Sequence, residues 1–224
     1  MVPRELIATA QVPGGGDPLR LIRRGAEFSI MLGANELMNS RLSGSEEALA
    51  TIAQAKVAGV AAPRVLIGGL GMGFTLRAAL QAFGTSAAIT VCELVPEIVE
   101  WARGPMAHLH DGTLDDPRVA IRIDDVGASI RAGTDNFDAI LLDVDNGPDG
   151  LSREGNDALY TAAGLAQARS ALRPGGVLAV WSSGPDVRFT ARLRKAGFVV
   201  DEQVVRARAS GGARHTIWFA VRAR

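Results

Sequence analysis

Cysteine occurs once in this chain, at Cys92, and lysine only at Lys56 and Lys195. A lone thiol cannot close an internal disulfide, which excludes a disulfide scaffold and makes a reducing cytoplasm the expected compartment. No excess charge of either sign is present, with 24 basic against 24 acidic side chains. The chain therefore carries no overall field to hold nucleic acid or an anionic membrane. The arginines near the end, Arg206, Arg208, Arg214, Arg222 and Arg224, read as solvated strand ends in such a neutral chain. Long hydrophobic runs are missing too, since none approaches the roughly 18–20 residues of a membrane helix. The opening MVPRELIATAQVPGGG has no continuous apolar stretch and reads as mature protein, not as a signal peptide. What is there is ordinary globular composition, 47% hydrophobic and 21% charged over 224 residues. That is enough apolar mass for one α/β domain with a small appendage.

Two regions differ in pattern. In residues 1–42, Pro13-Gly14-Gly15-Gly16-Asp17-Pro18 is a turn between the runs Leu6–Val12 and Leu19–Arg23, with further short runs at Glu27–Leu32 and Leu37–Asn39. This predicts a small antiparallel β-hairpin appendage. Residues 43–224 predict an α/β domain, opened by a helix over roughly 45–59 with Ser43 as its cap. Strands follow at Val65–Gly68, Ile89–Glu93, Val119–Ile123, Phe137–Leu142 and Val177–Ser182, alternating with helical stretches that include a long one over Asn156–Leu172. Alternation of this kind implies a mostly parallel, doubly wound sheet with helices on both faces. Arg173-Pro174-Gly175-Gly176 reads as a turn before the fifth strand. Two last strands, Phe198–Arg206 and Thr216–Arg222, are joined by a short loop and so predict an antiparallel pair.

Three loops carry chemistry. Gly68-Gly69-Leu70-Gly71-Met72-Gly73 lies between the first strand of that series and its helix, where glycines admit a close backbone approach to a ligand. Its G-x-G-x-G spacing is not the dinucleotide fingerprint, because the position that needs the third glycine is Phe74; it is the spacing of S-adenosylmethionine sites. Glu93 ends the next strand, 20 residues after Gly73, where a carboxylate can accept both ribose hydroxyls. Asp124 and Asp125 end the strand after that; Asp125 is assigned to the adenine amino group and Asp124 to capping the following helix. Asp143, Asp145 and Asp149 crowd the loop after Phe137–Leu142. That strand should lie beside the first, at the switch point where ligands bind, so Asp143 and Asp145 are the candidate catalytic residues, orienting or deprotonating a nucleophile. His108, His110 and His215 show no ligand spacing, and no metal is expected.

The stretches VLIGGLGMGFTLRAAL, VCELVPEIVEWA, FDAILLDVDNGP and ALYTAAGLAQARSALRPGGVLAVW together resemble the spermidine synthase-like group of class I S-adenosylmethionine-dependent transferases. The resemblance implies a seven-stranded Rossmann-like sheet with its last strand antiparallel and an N-terminal β appendage. It implies cofactor contacts at Gly68, Gly69, Gly71, Gly73, Glu93 and Asp125, and it matches Asp143 to the first Asp of that group's D-S-S-D loop. Relatives of this kind are commonly dimeric, so a homodimer using the N-terminal strands is expected.

The departures shape the functional expectation. Asn146 stands where the synthases keep a second Asp, Gly71 stands where their glycine loop carries an Asp, and their Tyr-His-Glu segment falls on the apolar Ala48–Ala50 region. With the synthases' polyamine-side residues missing at these positions, the expected reaction is methyl transfer from S-adenosylmethionine to a small molecule, an amine being the natural partner of the acidic loop. Aminopropyl transfer from decarboxylated S-adenosylmethionine is the alternative. A nucleoside-binding protein without catalysis is the third reading, since fold alone does not fix function.

Overall fold

The structure, a computed structural model, describes residues 2–144, 147–148, 154–208 and 211–224. At the N-terminus, β1 (Glu5–Ala10), β2 (Leu19–Arg24), β3 (Glu27–Leu32) and β4 (Asn35–Asn39) form an antiparallel sheet in the order β1-β2-β3-β4. Alternate residues of β2 and β3 point inward, so Leu19, Leu21, Phe28 and Ile30 are buried while their neighbours are not. This small sheet has no core of its own. Its inner face joins one apolar cluster with Leu49, Met72, Trp101 and Met106 of the main body.

The main body begins at α1 (Gly44–Lys56) and continues β5 (Arg64–Gly68), α2 (Phe74–Ala82), β6 (Ala88–Glu93), α3 (Pro96–Arg103), α4 (Ala107–His110) and β7 (Val119–Ile123). Then come α5 (Val126–Ala132), β8 (Phe137–Leu142), α6 (Glu154–Tyr160), α7 (Ala162–Ala171), β9 (Leu172–Ser182), α8 (Val187–Lys195), β10 (Phe198–Arg208) and β11 (Gly211–Arg222). The seven-stranded sheet runs β10-β11-β9-β8-β5-β6-β7. Strands β5 to β9 are parallel, and β11 is antiparallel to both β9 and β10. Every residue of β8 is buried, as expected of a parallel strand covered on both faces. Period-2 alternation splits the core: Val65, Ile67, Ala139 and Leu141 face α1, α2 and α3, while Leu66, Ile140, Leu142 and Val180 face α5, α7 and α8.

Four local expectations are corrected. The long helix is broken into α6 and α7 at Thr161, whose Oγ1 accepts the Gly164 N–H at 3.1 Å and so caps a new helix. Residues 173–176 do not precede the fifth strand but lie inside β9, where pairing with β8 jumps from Phe137–Leu172 to Ala139–Val177. The final hairpin is longer than expected, with β11 starting at Gly211. Ser43 occupies the N-cap of α1, but its hydroxyl donates to the Glu47 carboxylate at 2.8 Å and makes no capping bond. No helix among the described residues is long and apolar enough to cross a membrane.

Candidate active site

The C-terminal ends of β5, β6, β7 and β8 converge on the glycine loop. Gly69 donates its N–H to the Cys92 carbonyl at 2.8 Å, and Asp143 donates its N–H to the Gly68 carbonyl at 3.1 Å. The loop is thus stitched to both neighbouring strands. Gly69 has φ +85°, and a Cβ there would lie 2.4 Å from the Asp143 carbonyl oxygen; only glycine allows this approach. Beneath the loop is a cavity of about 270 Å³, whose walls include Gly69, Gly71, Glu93, Asp124, Asp125 and Asp143. Gly68 and Gly73 are not on that wall: Gly68 ends β5, and Gly73 is the N-cap of α2. The N-terminal sheet closes the opposite side, with Gly15, Gly16 and Asp17 of its first hairpin and with Leu37 and Met38. The sequence offered no sign that the appendage walls the site.

Glu93 is 8% exposed. Its Oε2 accepts the Leu70 N–H and its Oε1 the Val95 N–H, both at 2.9 Å. Burial pushes its carboxyl up, and the backbone N–H groups of Val95, Leu70, Gly71 and Leu94 pull the other way. A carboxylate with one N–H on each oxygen keeps lone pairs for two further donors, which suits a ribose diol. At the end of β7 the capping assignment is reversed. Asp125, not Asp124, caps α5, its Oδ1 accepting the Gly127 N–H at 2.9 Å, while Asp124 Oδ1 accepts the N–H of Asp125. Both acids nonetheless line the cavity. The reason is geometric: the chain turns into the helix one residue later than expected, so the cap falls on the second acid. With the backbone of Gly69 and Gly71 and the carboxylates of Glu93, Asp124 and Asp125 on its wall, the cavity offers acceptors to hydroxyl and amino donors.

Asp143 separates this cavity from a second one of about 280 Å³. Thr75 Oγ1 donates to its Oδ2 at 2.7 Å. Burial, then repulsion from Glu46, holds the Asp143 carboxyl at about 7, against the pull of Thr75. Asp145, the other candidate catalytic acid, lies outside the described residues, as does Asn146. The second cavity is lined by Glu36, Glu46, Phe74, Trp181 and His215 among others, none of which the sequence singled out for the site. Ala48–Ala50 supplies no polar group, and Ala50 is core; the side chain that α1 does bring to the second cavity is Glu46, from its first turn. Ser45 Oγ donates to Glu46 Oε2 at 2.7 Å and lies 2.8 Å from His215 Nδ1. The acidic first turn of α1 was visible in the sequence, but it carries the ordinary signature of a helix start. Tyr160 lies in the opposite cluster, edge-on to Phe189. No group of three or more metal-ligating side chains occurs among the described residues.

The strand order and the antiparallel β11 define a Rossmann-like domain with the class I methyltransferase-like fold. Within it, this chain belongs to the spermine/spermidine synthase domain family, whose match spans residues 45–188. Polyamine aminopropyltransferase 2 of Pseudomonas aeruginosa is 38% identical over 120 residues, covering 52% of this chain and 32% of that protein. A polyamine aminopropyltransferase of Mycobacterium tuberculosis is 33% identical over 147 residues, 61% of this chain and 27% of that protein. The matched stretch is thus a third or less of these relatives' length. The crystal structure of spermidine synthase from Thermotoga maritima shares the fold at a TM-score of 0.77, with 22% identity, over 97% of this chain and 73% of that one.

Proposed function

We propose that the protein transfers an aminopropyl group from decarboxylated S-adenosylmethionine to a small amine. This was the alternative reading of the sequence, and it displaces methyl transfer because the acceptor side is not stripped. The observation that carries it is the pair Asp143 and Glu46 on one cavity wall, with Asp143 reaching both chambers. Family membership and the polyamine aminopropyltransferase names of the curated relatives support the same reading.

In this reading Glu93 and Asp125 hold the nucleoside, and the glycine loop fixes its depth. Bound there, the donor supplies an electrophilic carbon attached to a sulfonium leaving group. The amine nitrogen forms the new C–N bond as the C–S bond breaks, and the electron pair of that bond goes to sulfur. Asp143 takes the proton that the amine gives up. A carboxyl held at about 7 is a more capable base at neutral pH than an ordinary Asp. Thr75 fixes one oxygen of Asp143, leaving the other to face the amine.

The test is direct. The protein is incubated with decarboxylated S-adenosylmethionine and putrescine, and methylthioadenosine and spermidine are followed by chromatography. Stoichiometric release of both is expected. Methyl incorporation from S-adenosylmethionine without aminopropyl transfer would restore the methyltransferase reading.

A further inference from the structure

The wall shared by the two chambers is built from Leu37, Met38, Gly71, Asp143 and Val144. Any nucleoside seated against Glu93 has to send its tail past this wall to meet an acceptor. At Gly71 the wall has no side chain and no space for one: φ is +50°, and a Cβ would lie 2.8 Å from the Met38 thioether sulfur. An acid cannot be presented from the glycine loop at that point unless Met38 moves. On the far side of the same wall stands Glu46, from α1.

Glu46 is held in place. The Ser45 hydroxyl has one proton and donates it to Glu46 Oε2, so at 2.8 Å it accepts from His215 Nδ1. His215 in turn packs edge-on against Trp181, with ring centroids 4.7 Å apart. The Trp181 Nε1 is buried and finds no acceptor among the described residues. The chamber therefore holds an oriented carboxylate, a second carboxylate at Asp143 and an unused N–H donor. Burial leads in raising the Glu46 carboxyl, Glu47 adds to it, and the Ser45 hydroxyl opposes it. A cation entering the chamber relieves that strain, and another carboxylate aggravates it.

The geometry points to Glu46 as the residue that selects the donor nucleoside by the charge on its tail, receiving a lone ammonium group and repelling a tail that keeps its α-carboxylate. This role rests on the aminopropyl reading of the site. It assigns donor discrimination to α1, where the glycine loop has no acid to supply it. Like charges juxtaposed in a partly desolvated site cost enough to discriminate by roughly ten-fold or more.

The experiment is calorimetric titration of the whole protein and of Glu46→Gln with three probes: decarboxylated S-adenosylmethionine, S-adenosylmethionine, and methylthioadenosine, which lacks the charged tail. The wild type is expected to prefer the decarboxylated donor over S-adenosylmethionine by at least about ten-fold. Glu46→Gln should erase most of that ratio and leave methylthioadenosine affinity unchanged. Ser45→Ala, which removes only the tether, should lower the ratio less, and it serves as the second variant if Glu46→Gln does not fold. An unchanged ratio in a variant that still binds methylthioadenosine overturns the role of Glu46 while leaving the aminopropyl reading standing. A wild type that binds methylthioadenosine but prefers S-adenosylmethionine overturns both, and so does one that binds none of the three.

Discussion

Replacing Asp143 by Asn tests the catalytic assignment and the electrostatics of the site in one variant. Asn keeps the shape and an oxygen to accept from Thr75 Oγ1, now at 2.7 Å from Asp143, but it cannot ionise. In the wild type the carboxyl is held at about 7 instead of the ordinary 3.8, chiefly by burial and then by Glu46. Between those values the folded protein binds more protons at this site than the unfolded chain does. Its contribution to stability is therefore fully present below about pH 4, falls as pH rises, and is lost above about pH 7. At about 1.4 kcal/mol per pH unit the upper bound on that loss is on the order of 4 kcal/mol. Asp143 lines both cavities, where entering solvent would screen the charge, so a difference of about 2 kcal/mol is expected in practice. Asp143→Asn should thus match the wild type near pH 4 and exceed it at pH 8, melting about 4–8 °C higher there. Urea unfolding at several pH values measures the difference, and comparing variant with wild type cancels the titration of Glu93 and His110. Turnover should fall by about 10²- to 10⁴-fold, with donor affinity nearly unchanged. A variant no more stable than the wild type at pH 8, or one that retains turnover, would refute the argument.

Further outcomes follow from single contacts. Glu93→Ala leaves the Leu70 and Val95 N–H groups without their acceptor, so it should weaken nucleoside binding by about 1.5–3 kcal/mol and also cost about 1–3 kcal/mol of stability. Calorimetry and urea unfolding read the two effects separately, and unchanged affinity would remove Glu93 from the site. Gly69→Ala puts a methyl into the Asp143 carbonyl; it should lower the melting temperature and abolish methylthioadenosine binding, and a variant that binds normally would contradict the loop geometry. A homodimer remains the expectation for the N-terminal sheet, whose edge strands β1 and β4 each pair on one side only among the described residues. Light scattering at micromolar concentration checks it, and a monomer ends that proposal.

The succession of elements was legible in the sequence because each strand is short, apolar and followed by a turn. Glu27–Leu32, Val119–Ile123 and Phe137–Leu142 were read with the bounds they have. That Gly69, Gly71, Glu93 and Asp125 meet at one cavity was legible for a related reason: they sit at strand ends, and in a parallel sheet those ends open on one crevice. Boundaries set by single side chains were not. Nothing in the pattern of Asn156–Leu172 says that Thr161 caps a new helix, because a Thr within a helical run has equal claim to the helix interior. The capping acid at β7 slipped by one residue for the same reason.

The sequence by itself determined the sheet, its order around β5 and β8, and the placement of the glycine loop and of Glu93, Asp124 and Asp125 at strand ends on one cavity. Those depend on hydrophobic period and on glycine and acid placement along one short stretch of chain. Only the tertiary structure decided the second cavity. Asp143 meets Thr75 across 68 positions and Ser45 meets His215 across 170, and no local pattern records such encounters. Glu46 is one acid among 24 until the packing of α1 against the sheet turns it to Asp143. Met38, from the appendage, fills the space at Gly71 only because the N-terminal sheet buries its apolar face on the main body. The charge that distinguishes the chamber comes from side chains brought together by the burial of their neighbours.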